Sequence, residues 1–343
     1  MKQGKPLHFR FRCDAGARHG LGHLMRCLTV ASELAKRGHT CSFAVNAPSN
    51  IVLGRIAGEG FPAQSVGLDA GKDVPELWCA ENTDLIIVDS KDVDADYVGR
   101  CRVYAPVACF DDEIARNLPC DVIVNNHLWT AKSDYVLSES LLLLGPQYNT
   151  VGAGYYGIPD EGRCGVLISL GGEDPQNHTE WLVDTLAREM ADIPVHVCIG
   201  PAHPSPESVL RACAKSLPGA IIYQAPSSLL EPISKCHIAL SAGGTTCYEL
   251  AAAGVAMVVV AVEEHQRRMQ QSLVSRGAAL SLGDGEKADT AAAVAVFRRL
   301  KMAETVGDLA RKGRELFPAP GAGKVADCLI KVATRNECSL RND

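Results

Sequence analysis

Short apolar runs recur along the chain, each followed by a longer amphipathic stretch, and this alternation constrains the fold more than any other feature. Runs of roughly four to eight residues with few polar interruptions suit strands of a parallel sheet covered on both faces, and the intervening stretches supply the covering helices. In the first half, residues 7–13, 40–45, 85–88, 103–110 and 122–124 read as strands, and 23–37 as a helix stopped by Gly38. Residues 145–162, rich in Gly, Tyr and Pro and without periodicity, read as an interdomain linker. The second half restarts with strands at 165–170, 195–199, 220–223, 238–241 and 256–260. Helices at 179–190, 206–216, 228–236 and 246–253 lie between them. A last helix, from about residue 321, is expected to return to the first domain.

At 343 residues the chain exceeds the size at which one core keeps growing. Two Rossmann-like α/β domains are therefore expected, residues 1–148 and 149–343. A net charge of −6 gives no field for a polyanion, and the densest basic clusters, Arg267-Arg268 and Arg298-Arg299-Leu300-Lys301, read as solvated helix faces. No nucleic-acid partner is expected. The 14 cysteines include no Cys-x-x-Cys pair and fall mostly in apolar segments, which points to a reducing cytoplasm and no structural zinc. No leader or membrane-inserting run is read, so a cytoplasmic chain, monomeric or weakly dimeric, is expected.

Polar residues at the C-terminal ends of parallel strands line the ligand crevice of such sheets, so Asp89, Asp111 and Asn126 are placed on one rim. His23 belongs to that rim as well. It follows a glycine turn, Gly20-Leu21-Gly22, between the first strand and the first helix, where backbone approaches a ligand closely and helix amides are free. It is the first candidate for a catalytic base. The plainer reading is a tight βα turn, because Met25 stands where a dinucleotide fingerprint needs its third glycine.

Two further loops open helices. Ser241-Ala242-Gly243-Gly244-Thr245-Thr246 offers backbone N–H groups to a diphosphate without any lysine, with Glu249 one turn on to receive ribose hydroxyls; a capping box from Thr245 or Thr246 to Glu249 is the alternative. Gly171-Gly172-Glu173-Asp174-Pro175-Gln176-Asn177 brings Asp174 and Asn177 to a strand end, either for sugar groups or to satisfy their own turn. Gly321-Ala322-Gly323-Lys324 lacks the Ser or Thr of a P-loop. The acidic triplets Asp92-Val93-Asp94 and Asp94-Ala95-Asp96 read as an exposed turn or helix start, so neither metal nor cofactor is expected.

Together, Arg12-Cys13-Asp14-Ala15, the segment from Gly20 to Leu28, Leu170 to Asn177 and Ser241 to Ala251 resemble the UDP-2,4-diacetamido-2,4,6-trideoxy-L-altropyranose hydrolases of pseudaminic acid synthesis. Spore-coat-polysaccharide proteins share these blocks, and the lipid-linked N-acetylglucosaminyltransferase of peptidoglycan synthesis is similar more remotely. The resemblance implies a GT-B-like α/β fold, two facing Rossmann-like domains with a cleft between them. It implies hydrolysis of a UDP-activated amino sugar at its anomeric carbon, releasing UDP and a free sugar for nonulosonic acid synthesis. In that scheme His23 and Asp14 are catalytic, and Gly20, Gly22, Arg26, Tyr148, Gly171, Gly172, Asp174 and Asn177 line the sugar pocket. Ser241, Gly243, Gly244, Thr245, Thr246 and Glu249 hold the nucleotide. The chain departs from the family at Asn149-Thr150-Val151-Gly152-Ala153 and at Glu263-Glu264-His265-Gln266, which bears on the identity of the sugar. A glycosyltransferase, or a nucleotide-sugar-binding protein without catalysis, are the alternatives.

Overall fold

The computed structural model describes residues 5–16, 20–46, 48–67, 73–79, 82–114, 116–136, 138–190, 192–262, 266–285 and 289–339. The chain forms two compact units. Unit 1 comprises residues up to Val151 and those from Pro320 on, and unit 2 comprises Gly152–Ala319.

Unit 1 holds a seven-stranded parallel sheet of β1 (His8–Asp14), β2 (Thr40–Asn46), β3 (Ala63–Val66), β4 (Leu85–Asp89), β5 (Val107–Phe110), β6 (Val122–Asn125) and β7 (Leu141–Leu144). Their order is β3-β2-β1-β4-β5-β6-β7. Unit 2 repeats the plan with β8 (Gly165–Ser169), β9 (Val195–Ile199), β10 (Ile221–Gln224), β11 (Cys236–Ala242), β12 (Ala256–Ala261) and β13 (Ala279–Asp284), ordered β10-β9-β8-β11-β12-β13. In both sheets the chain winds outward in one direction from its first strand and then in the other. The crossover opens a crevice at the strand C-termini between β1 and β4, and again between β8 and β11. All residues of β4, β5, β6, β8, β9 and β12 are buried, as continuous apolar runs covered on both faces require.

Elements with weak or mixed patterns differ from the sequence reading. The expected strand at 103–110 starts only at Val107, because Val103 and Tyr104 are exposed in the turn after the helix Ala95–Cys101. Strand β3, Ala-Gln-Ser-Val, buries one residue and therefore carries no apolar run. The acidic stretch at 92–96 starts a helix, with the Asp94 side chain accepting from the backbone N–H of Tyr97 at 2.9 Å.

The final helix, Ala322–Ser339, packs on unit 1. Its Ala322, Val325, Ala326, Leu329 and Ala333 join Leu24, Leu28 and Ala31 of the helix Gly22–Lys36 in one buried cluster. Arg37 ties the two helices by donating to Asp327 (2.8 Å) and to the carbonyl of Gly323 (3.3 Å). The turn into this helix needs glycine: a Cβ on Gly321 would stand 2.4 Å from the backbone nitrogen of Asn149. Leu329→Ala should therefore destabilise unit 1 by about 2–5 kcal/mol, read as a lower denaturant midpoint for that unit.

Candidate functional site

The catalytic candidate of unit 1 stands at its crossover. Strand β1 leads through a loop closed by paired backbone bonds between Gly16 and Gly20 (2.8 and 3.1 Å) into the helix Gly22–Lys36. Gly20 takes φ +66°, a conformation that costs glycine little, and Gly22 is the first helical residue, so His23 sits in the first turn. Across the crossover, β4 ends in Asp89, which has no exposed surface.

His23 Nδ1 lies 2.6 Å from Asp89 Oδ1. Burial alone would raise the Asp89 carboxyl, but Arg26 and then His23 outweigh it and hold Asp89 down at about 2. An ionised oxygen that close requires the proton on Nδ1, which donates to Asp89. In the neutral ring that leaves the lone pair on Nε2, which has no hydrogen-bond partner among the described residues. This carboxylate-held imidazole is the arrangement that prepares a general base.

Arg26, one helical turn on, is spent on the same carboxylate. Its Nε and Nη2 donate to Asp89 at 2.5 Å each, its Nη1 donates to Asp112 at 2.9 Å, and its guanidinium lies 4.6 Å from the centre of the Phe110 ring. Asp112 in turn lies 3.3 Å from His127 Nε2. Burial would raise Asp112 too, yet Arg26 and then His127 hold it well below the usual carboxylate range. Neighbouring Asp111 braces the rim: it accepts from Arg116 Nε (2.7 Å) and the Tyr135 hydroxyl (3.0 Å), while Arg116 also grips the carbonyls of Ser90 and Phe110. Asn126 donates to Thr150 Oγ1 at 3.5 Å.

Asp14 ends β1, fully buried. One oxygen accepts from Arg12 at 2.8 Å and the other, Oδ2, has no partner among the described residues. Arg12 also donates to Asp73, whose other oxygen takes the Tyr97 hydroxyl. Tyr148 lies in the short 3-10 turn Pro146–Tyr148 after β7 and packs against the main core of unit 1.

In unit 2, the loops after β8 and β11 flank the second crossover. Gly171 has φ +92°, and a Cβ on Gly200 would meet the carbonyls of Gly171 and Gly172 at 2.3 and 2.4 Å, so the loops after β8 and β9 are pressed together. Asp174 is committed to the helix that follows: it accepts from the backbone N–H of His178 (2.9 Å) and from both the N–H and hydroxyl of Thr179 (2.8 and 2.7 Å). Asn177 donates to Glu180 and Ser208, and its buried Oδ1 has no partner among the described residues.

After β11, the buried Ser241 hydroxyl turns back to the carbonyl of Ala242. A Cβ on Gly243 would lie 2.5 Å from the carbonyl of Gln266, whereas Gly244 faces open space. The helix Thr246–Ala253 starts at Thr245 without a side-chain cap, so the capping-box alternative is not what forms. Among the described residues the backbone N–H groups of 243–246 have no acceptor in the turns and loops, and they stand at a helix N-terminus, where free amides favour an anion. Glu249 is engaged by the Tyr155 hydroxyl, which burial and the nearby Glu249 charge keep protonated. Gln266 Oε1 accepts from the Val262 N–H (3.1 Å), and residues 263–265 lie outside the described residues.

No protein-family model matches the chain. The uncharacterized protein MJ1062 of Methanocaldococcus jannaschii is 23% identical over 271 residues, covering 74% of this chain and 55% of its own. The chain thus spans about half the length of that curated relative. Among solved structures, MurG of Acinetobacter baumannii superposes with a TM-score of 0.67 at 17% identity, over 95% of this chain and 100% of that one. The calicheamicin glycosyltransferase CalG4 gives 0.64 at 15%, over 97% and 99%. The glycotransferase of kitacinnamycin gives 0.68 at 16%, over 95% and 98%. These likenesses define the fold as GT-B: two parallel-sheet Rossmann-like units in one chain.

The Asp89 carboxylate adds a pH dependence to stability. Its folded value lies below the unfolded one, so its contribution is present above about pH 4 and is lost as pH falls through about 2. Asp89→Asn should be less stable than wild type at pH 7 and should lose less of its stability on acidification over that window, measured as urea midpoints against pH.

Proposed function

We propose that this protein is a nucleotide-sugar enzyme that breaks the anomeric C–O bond of a UDP-activated amino sugar, with water as acceptor. The sugar class, a diacetamido-trideoxy or related amino sugar feeding nonulosonic acid synthesis, follows from the four sequence blocks that resemble the altropyranose hydrolases. The observation that carries the reading is the His23 imidazole held through Nδ1 by a buried, ionised Asp89.

In this scheme His23 Nε2 takes one proton of the attacking water as the water oxygen bonds to the anomeric carbon. The bond from that carbon to the diphosphate breaks, and its electron pair leaves with UDP. A diphosphate is a good leaving group, so stabilising its charge matters more than protonating it. The uncapped amides of Gly243, Gly244, Thr245 and Thr246 suit that task because they are fixed before reaction. Glu249, oriented by Tyr155, accepts ribose hydroxyls. Asp174 shapes the loop after β8, leaving the glycine backbone at 171–172 to meet the substrate, with Asn177 beside it.

The second reading replaces water with a sugar or other hydroxyl acceptor, and the glycosyltransferases among the structural neighbours favour it. Incubating the protein with UDP-sugars and no acceptor separates the two: release of UDP and free sugar, seen by mass spectrometry, is expected. UDP release only when a hydroxyl or amine acceptor is added would make the protein a transferase, and tight binding without turnover would remove catalysis altogether.

His23→Ala should lower turnover about 10²–10⁴-fold while UDP affinity stays within a factor of about two. Glu249→Ala should weaken UDP binding about tenfold or more by titration calorimetry, the loss expected of a charged hydrogen-bond partner.

A further inference from the structure

At the opposite end of the unit 2 sheet from its glycine loops, the helix Ala303–Leu316 and the starts of the strands enclose a cavity of about 520 Å³. Arg163, His237 and Gly254 line it from the starts of β8, β11 and β12, three neighbouring strands, and Val306, Gly307 and Arg314 line it from the helix. Gly307 and Arg314 are seven residues apart on that helix, a rise of about 10 Å. The cavity is apolar beside Val306 and Gly307 and charged beside Arg314.

The charged end is built from buried parts. Arg163, whose side chain is 2% exposed, spends Nη1 on the carbonyl of Ala253 (2.9 Å) and Nη2 on that of Ile158 (3.0 Å). Its Nε is buried and has no partner among the described residues, nor has Nδ1 of His237. Asp160 lies 3.8 Å from Arg163 but is engaged by both Nη atoms of Arg314, which also reaches the Ala253 carbonyl at 3.4 Å. Glycine at 254 leaves room for that guanidinium, since a Cβ there would lie 2.0 Å from Arg314 Nε.

Two guanidinium groups therefore converge on one carboxylate and one carbonyl. Among the described residues Asp160 is the sole acid lining the cavity, against Arg163, Arg314 and Lys301, and Lys301 has Glu189 only at 3.9 Å. Burial pulls the Arg163 pKa below its ordinary value, and Asp160, opposed by the Arg314 charge, does not restore it. A buried cation with an unused donor and too little counter-charge is suited to an anion, and arginine forks match phosphate or carboxylate oxygens.

We propose that this cavity binds an amphipathic organic anion, a phosphate monoester or carboxylate on an apolar chain, with its head between Arg163 and Arg314 and its chain along Val306 and Gly307. Asp160, on the rim and 66% exposed, is the internal competitor for that head. The site lies at the strand starts, whereas the proposed diphosphate loop lies at the strand ends of the same unit. It is therefore independent of the nucleotide-sugar reading.

The test is calorimetric titration of the full chain with octyl phosphate, octanoate and octan-1-ol, whose chains match the length of the apolar stretch. Saturable binding of octyl phosphate or octanoate is expected with a Kd below about 1 mM, the tighter of the two naming the head, and octan-1-ol about tenfold weaker or more. Arg314→Met should weaken the anion about tenfold, the loss expected of a charged hydrogen-bond partner. Asp160→Asn should tighten it roughly threefold by removing the competitor. Gly307→Leu should abolish binding yet keep or raise the thermal midpoint, because a Cβ at 307 meets nothing within 4 Å and leucine favours helix. Wild-type affinity in Gly307→Leu or in Arg314→Met, octan-1-ol binding as tightly as the anions, or no binding of either anion below about 1 mM overturns the proposal. UDP titration of the same variants should match wild type, and a wild type that fails to bind UDP would sink the proposed function while leaving this site standing.

Discussion

A carboxylate with no exposed surface can stay ionised only if the protein supplies the charge and hydrogen bonds that water would have given, and Asp89 organises unit 1 on those terms. It takes two N–H groups from Arg26, one from His23 and a thiol from Cys27. All of these donors belong to three residues of one helix, and the acceptor belongs to the strand across the crossover. The interaction thereby fixes how the first helix seats on the sheet as well as the orientation of the imidazole. Such a cluster is not cheap: replaced by well-packed apolar residues it would often be neutral or better for stability, whereas deleting one partner typically costs about 3–5 kcal/mol.

Unit 2 uses the same crossover for a different purpose. There the strand ends carry glycine rather than carboxylate, and the close approaches at Gly200 and Gly243 show why side chains are excluded. Backbone amides and a helix terminus replace the side-chain cluster. One topology thus presents a carboxylate-held imidazole in one unit and uncapped helix-start amides in the other. The fold supplies the crevice, and a few residues at the strand ends decide what it does.

The sheets were legible because covered parallel strands are apolar without interruption, and β4, β6, β9 and β12 declare themselves in that way. The glycine loops before His23 and after β11 were legible for a similar reason, since few residues tolerate such turns. What sequence reading did not supply was the long-range polar pairing. Arg26 and Asp112 are separated by 86 residues, and nothing local marks a lone histidine after β6 as their partner. Asp174 shows the reverse difficulty, since a polar residue in a promising loop is consumed by its own helix. The helix Gln266–Ser275 hides its period because Gln266 and Gln270 are buried through hydrogen bonds to backbone, Gln270 reaching the carbonyls of Val259 and Gly283 at 2.9 Å. Polar residues at core positions defeat a pattern built on hydropathy.

The return of the final helix to unit 1 has a bearing on biogenesis. Unit 2 is one uninterrupted stretch and can mature as soon as it has left the ribosome, but the earlier-made unit lacks one wall of its interior until Ala322, Val325 and Leu329 emerge. Nascent unit 1 must therefore keep an apolar groove beside Leu24 and Leu28 unfilled while the whole of unit 2 is translated.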